Sequence, residues 1–287
     1  MVLELFGGKR LVILVALGLS LVQPKAREQP DQARLVAILK KSAEYCQRLE
    51  KAALDFVCLE EVTEPSRYDT SKSDVYLHDS EFSYRQVLQD HSPPANVYLY
   101  DYQFIRKGLE AREKRNLIAV NGKKKNIQDS SLHTVMFQYK NVLFGPAGLL
   151  SKSWQSYFSY KLVGEDFVNK EKVVVIEATP ALPLAEPHPY GRVWVKEEDG
   201  SVLKIVWDQR SLANFQSIEE WAKAHDAIPQ IIAFCEYGFE KNGLYFPSRN
   251  YAENASIKTN KKKFVYTKVD VRYKNYKFFT VETEIKY

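Results

Sequence analysis

Catalysis by side chains needs groups that converge, and the five histidines are the first place to look for them. His78, His91, His133, His188 and His225 stand far apart, and no two of them fall at the helical or strand spacing of a metal pair. A zinc site is not expected, and no cofactor is implied. His188, between Pro187 and Pro189, reads as a turn residue at the surface. The carboxylate pairs Glu60 with Glu61 and Glu282 with Glu284 have the right chemistry for acid and base work. Adjacent strand residues point to opposite faces, however, and the second pair falls on a polar face, so both read as solvated charge. There is no G-x-S-x-G elbow, phosphate-cradling glycine loop or dinucleotide fingerprint. The chain therefore reads as a protein that binds and does not catalyse.

The three cysteines carry a second kind of chemistry. Cys46 falls in an expected helix and Cys58 at the start of the strand after it, so the chain could fold back and join them in a disulfide. Two buried free thiols are the alternative. Closing so short a loop would stabilise the fold by on the order of 3 kcal/mol. Cys235, among Ile231, Ala233, Tyr237 and Phe239 at strand spacing, reads as a small buried apolar residue.

The composition is rich in aromatics: 18 Tyr, 15 Phe and 4 Trp. In VYLYDYQFIRK, Tyr98, Tyr100, Tyr102 and Phe104 share one face because a strand repeats every two residues. Such a stripe is either core or the wall of a greasy cavity with a wet rim. As cavity it would be lined by Tyr98, Tyr100, Tyr102 and Phe104, with Trp194 and Trp207 as further candidates.

These residues need elements to hold them. Leu35, Ile38, Leu39, Ala43, Cys46, Leu49 and Ala52 recur at three- and four-residue spacing and predict a helix over residues 31–54. Residues 62–95 are polar and broken by prolines, with one strand expected near 82–87. Hairpins are expected at Asn121-Gly122, Asp199-Gly200 and Asn242-Gly243, dipeptides suited to tight turns. Short helices are expected over 149–157 and 217–227, and a last turn around Lys274 and Asn275. Roughly ten antiparallel strands with one apolar face must curl to bury it. The expected fold is mainly β, an antiparallel, incompletely closed barrel with helices across its open side.

Lys9 and Arg10 precede an apolar run over residues 11–22, the layout of a secretory signal over 1–22, cleaved or kept as an anchor. Residues 28–287 then form one β-rich domain, and the protein is expected in the periplasm or cell envelope. The net charge of +5 is mild. The triple-lysine runs at Lys123, Lys124, Lys125 and at Lys261, Lys262, Lys263 sit in or beside turns. They read as solvated loop charge, not a nucleic-acid patch, and their functional reading is contact with anionic lipid headgroups. Asn254-Ala255-Ser256 matches the glycan acceptor pattern without further support.

The order of elements, with VVVIEATPA followed by GRVWVKEEDGSVLKIVWD, resembles the LolA-like superfamily of lipoprotein-sorting and periplasmic lipid-carrier proteins. The resemblance rests on Asp199-Gly200-Ser201-Val202-Leu203-Lys204 and on the layout of the whole chain. It implies an unclosed barrel under a helical lid that holds acyl chains or another apolar ligand without a cofactor. Its partners would be a lipid or a lipidated protein. An envelope scaffold with a filled core, bound to a protein partner, is the competing reading.

Overall fold

The computed structural model describes residues 28–52, 54–65, 95–107, 110–134, 139–183, 188–213, 215–261 and 263–279. The expected leader, the strand near 82–87, Glu282 and Glu284 lie outside the described residues.

Helix α1 (Glu28–Lys51) begins the described chain. Leu35, Ile38, Ser42, Tyr45, Cys46 and Leu49 are its buried residues, and their spacing lays one stripe against the sheet. Arg48 and Lys51 in the last turn complement the helix dipole. Four strands follow: β1 (Leu54–Pro65), β2 (Ala95–Lys107), β3 (Glu110–Val120) and β4 (Lys123–Ile127). After helix α2 (Gly145–Leu150) come β5 (Phe158–Val168), β6 (Glu171–Pro180), β7 (Gly191–Val195) and β8 (Val202–Trp207). Helix α3 (Phe215–Ala224) leads into β9 (Ala227–Glu236), the small hairpin β10 (Phe239–Lys241) and β11 (Leu244–Phe246), then β12 (Arg249–Lys258) and β13 (Lys263–Phe278).

Eleven strands form one antiparallel sheet in the order β4-β3-β2-β1-β13-β12-β9-β8-β7-β6-β5. Its two edges, β4 and β5, do not pair with each other, so the barrel stays open, with α1 and α2 packed over the inner face as a lid. The Asn-Gly and Asp-Gly turns form where the sequence expects them: Asn121 and Gly122, Gly200, and Asn242 and Gly243 all have positive φ. Gly200 is constrained twice. Its φ is +74°, and a Cβ there would collide with the backbone of Lys41 and Ser42, because the β7–β8 turn rests directly on α1.

Two expectations are corrected here. Lys274 and Asn275 do not turn the chain, since β13 runs through them. Asn275 takes φ 58°, and the register against β1 shifts there, so the polar residue makes a bulge inside one long strand. Nor do Cys46 and Cys58 form the expected disulfide: both are free and buried. α1 continues five residues past Cys46, about 7.5 Å of further helix. Cys46 packs in the cluster under β5–β9, while Cys58 packs in the cluster under β1–β3 and β13.

Candidate functional site

The inner face holds two apolar clusters side by side. One joins the first three-quarters of α1 to α2 and β5–β9 through Leu35, Ile38, Tyr45, Cys46, Leu149, Leu150, Ile176 and Ile205. The other lies over β1–β3 and β13 and is largely aromatic. There Phe56 stacks on Phe104 at 5.4 Å between ring centroids and meets Phe246 edge-on at 5.5 Å. Tyr276 and Phe278 close the same group, at 5.3 and 5.6 Å from Phe56. Tilted and edge-on pairs of this kind add about 0.5–1.5 kcal/mol each beyond the area they bury.

The aromatic stripe of β2 faces inward. Tyr100 and Phe104 are fully buried, Tyr102 nearly so, and Tyr98 is half-buried against the ring of His133. Trp207 also points inward, packing beside the first cluster. Trp194 does not. Val193 and Val195 take the inward positions of β7, so Trp194 lies on the outer face, where its indole N–H donates to Asp166 at 2.8 Å. Five of the six expected residues thus share the inner face and the sixth does not. His188 stacks on Trp154 at 3.9 Å, with its Nε2 2.7 Å from the carbonyl oxygen of Gly148, and serves as a packing residue.

Beside the aromatic cluster lies a polar knot that the sequence reading did not single out. Glu60, expected to be solvated, is 0% exposed. In DFVCLEEV it shares a face with Phe56, Cys58 and Val62, so strand alternation turns it inward, and its cross-strand neighbours are Tyr100 and Tyr273. That position in an apolar rhythm was the signal that could have revealed it. Arg115 of β3 reaches across β2 and donates from Nε to Glu60 Oε2 at 2.6 Å and from its second nitrogen to Oε1 at 3.1 Å. Glu113 stands on the other side of Arg115, at 3.6 Å. The guanidinium lies over the rings of Tyr102 and Tyr139 at 4.8 and 5.5 Å.

The knot also ties down the segment that closes the site. Tyr139 donates its hydroxyl proton to Glu60 at 3.3 Å, and the backbone N–H of Asn141 donates to Glu113 at 2.8 Å. Tyr102 donates to the same carboxylate at 2.9 Å. Burial pushes Glu60 above the usual carboxylate range even though Arg115 pulls the other way. Burial also works against the charge on Arg115, but its bonds to Glu60 outweigh that and hold it protonated. Burial lifts the Tyr100 hydroxyl to about 12, and Tyr102 and Tyr139 rise for the same first reason.

α1 is fastened at its rim by side-chain contacts. Arg34 donates to Glu197 at 2.7 and 2.6 Å and to Glu165 at 2.7 Å, and Lys41 donates to the carbonyl oxygen of Glu197 at 2.8 Å. At the far end Arg106 donates to the carbonyl oxygen of Leu49 at 3.2 Å. A cleft of about 350 Å³ opens beside this rim, lined by Lys41, Lys172, Val173, Val174, Glu197 and Glu198. Among the described residues no group of three His, Cys, Asp or Glu side chains could hold a metal ion, and no helix is long and apolar enough to cross a membrane.

The class of protein that this arrangement defines is a half-barrel with an aromatic interior under a helical lid. Solved structures resemble it over most of their length at low identity. An outer membrane lipoprotein-sorting protein domain from Vibrio parahaemolyticus matches with a TM-score of 0.43 and 10% identity, covering 86% of this chain and 94% of its own. A LolA superfamily protein from Nitrosomonas europaea matches with a TM-score of 0.34 and 12% identity, covering 85% of this chain and 94% of its own. For a DUF1329 family protein from Desulfovibrio piger the values are 0.32 and 9%, with 86% and 95% covered. No family model matches the sequence, and no curated protein does.

Proposed function

We propose that this chain is an exported protein of the cell envelope that carries or senses an apolar ligand, a lipid or the acyl chains of a lipoprotein, inside its half-barrel. The observation that carries this reading is the construction of the inner face: a continuous set of aromatic rings under a lid whose rim is held by ion pairs and single hydrogen bonds. Exposed ion pairs contribute about 0–1 kcal/mol each, so lifting α1 costs far less at its rim than in its core contacts. Phe56, Tyr102, Phe104, Phe246, Tyr276 and Phe278 together would offer an acyl chain on the order of 1,000 Å² of ring surface.

An envelope interaction protein with a permanently filled core is the second reading. It is favoured by the near-complete burial of Phe56, Phe104 and Phe246 in that same cluster. Native mass spectrometry with lipid extraction, on protein purified from an envelope fraction, separates the two. A stoichiometric apolar adduct released only on unfolding supports the carrier. A clean apo mass with no uptake of fatty-acid or phospholipid probes overturns it in favour of the filled core.

A further inference from the structure

One end of the sheet carries an apolar strip on its outer face. In β9 the residues Ala227, Ile231, Ala233 and Cys235 are buried beneath the sheet, so Ile228 points the other way, and it is 69% exposed. The register sets Ile228 beside Ile257 of β12, and Ile257 beside Lys263 of β13. One row along the same face, Gln230 lies beside Ala255, which is fully buried, and Ala255 beside Val265, which is 39% exposed. Helix α3 packs against β9 and presents Trp221, 44% exposed and stacked on His225 at 4.2 Å, one turn before the chain enters that strand.

The tip beside this strip is basic. The turn from β12 to β13 reads KTNKKK over residues 258–263, with four lysines and no carboxylate. Lys263 pairs with Glu253 at 2.7 Å, and Lys223 pairs with Glu219 at 3.3 Å along α3. Lys261 is exposed at the crown of the turn, in the left-handed region at φ 63°. The other triple-lysine run lies on β4 beside Ile127, which is 47% exposed, and its lysines line the open sheet edge, where they protect it from pairing with another chain.

We propose that this end of the sheet is a contact site for an anionic lipid surface, with Lys258 and Lys261 at the headgroups and Ile228 and Trp221 entering the interface. Aliphatic and tryptophan side chains ringed by lysine are the chemistry of an interfacial anchor, in which apolar area and charge attraction add. Ile228 and Ile257 lie on the face opposite the aromatic interior, so their part in such a contact does not depend on what that interior holds.

The test is flotation of the purified protein with vesicles of phosphatidylglycerol and phosphatidylethanolamine, against vesicles of phosphatidylcholine alone. Binding is expected only to the first and should weaken with salt. Changing Lys258 and Lys261 together to Gln should weaken it by about 10-fold or more. Ile228→Ser should weaken it while leaving circular dichroism and the melting temperature unchanged. The blue shift of tryptophan emission on binding should vanish in Trp221→Phe. Equal binding to both vesicle types, binding untouched by the lysine and Ile228 changes, or no binding at all overturns the proposal. Preference for an acidic polypeptide over the anionic vesicles also overturns it. None of these outcomes bears on the apolar adduct, which is measured separately.

Discussion

Arg115 on β3 meets Glu60 on β1 across the intervening strand β2, and the two close a bidentate pair with no water-facing side on the carboxylate. A pair of this kind is weak evidence for stability, because desolvating both charges costs nearly as much as their attraction returns. Its loss from one side is another matter. Arg115→Ala strands the Glu60 and Glu113 carboxylates and is expected to lower unfolding free energy by about 3–5 kcal/mol in urea titration. Glu60→Leu combined with Arg115→Met should recover most of that loss. A double variant no better than the single one would show that the pair is not the source of the effect.

The same pair predicts a pH dependence with a definite sign. Burial raises Glu60 above its ordinary 4.5, so the folded state holds this proton more tightly than the unfolded chain does. Its contribution therefore falls as pH rises from about 4.5 through the raised value. Asp270 runs the other way: burial opposes its charge, but two bonds from Arg249 outweigh that and lower it below 3.8. What Asp270 contributes is present above 3.8 and is lost as pH falls below it. Melting curves across the acid range should show a smaller decline with rising pH in Glu60→Gln, and a smaller decline on acidification in Asp270→Asn. Curves parallel to that of the unaltered protein would contradict both assignments.

Gly200 supports a sharper structural forecast. Any side chain there must leave the left-handed region or push α1 away from the β7–β8 turn. Gly200→Ala should cost about 2 kcal/mol or more and speed amide exchange around Lys41 and Ser42. Unchanged exchange would mean that the turn and the helix part without consequence.

The thiols can be counted directly. With Cys46, Cys58 and Cys235 all free and buried, denatured protein should titrate as three thiols, while the folded protein should react slowly. Burial raises all three above the usual thiol range, which leaves little thiolate to react. Fewer than three thiols on unfolding would restore the crosslink.

Removing the rim fastening of the lid tests the carrier reading from another side. Arg34→Ala breaks the contacts to Glu165 and Glu197 at a modest cost, about 1 kcal/mol or less because the group is part-exposed. Uptake of a fluorescent fatty acid should become faster. A rate equal to that of the unaltered protein would count against a lid that opens at this end.

Much of this architecture was legible because local chemistry and global fold agree. The period-two stripe from Tyr98 to Phe104 faces the interior as strand geometry requires, and the Asn-Gly and Asp-Gly pairs turn where their positive φ is needed. The site was less legible. Glu60 was weighed against its chain neighbour Glu61, when its real companions were Arg115 and Tyr139, both more than fifty residues away. Trp194 and Trp207 sit on the same hairpin, yet pattern alone did not say which faced inward. Asn275 looked like a turn because left-handed backbone favours Asn, but a bulge uses the same conformation without reversing the chain.

β13 runs between β1 and β12, so the last strand described is the seam that joins the two halves of the sheet. β1 pairs with it from Phe56 opposite Phe278 to Thr63 opposite Asp270, a closure of more than two hundred residues. A chain made only as far as β12 holds two sheets whose edges, β1 and β12, stay open and are bridged by α1 alone among the α-helices. Completion of the sheet must then wait for β13 to emerge, and contacts this distant in sequence form slowly. Until β13 is in place the chain keeps two unpaired strand edges, and a variant that lacks β13 should aggregate through them.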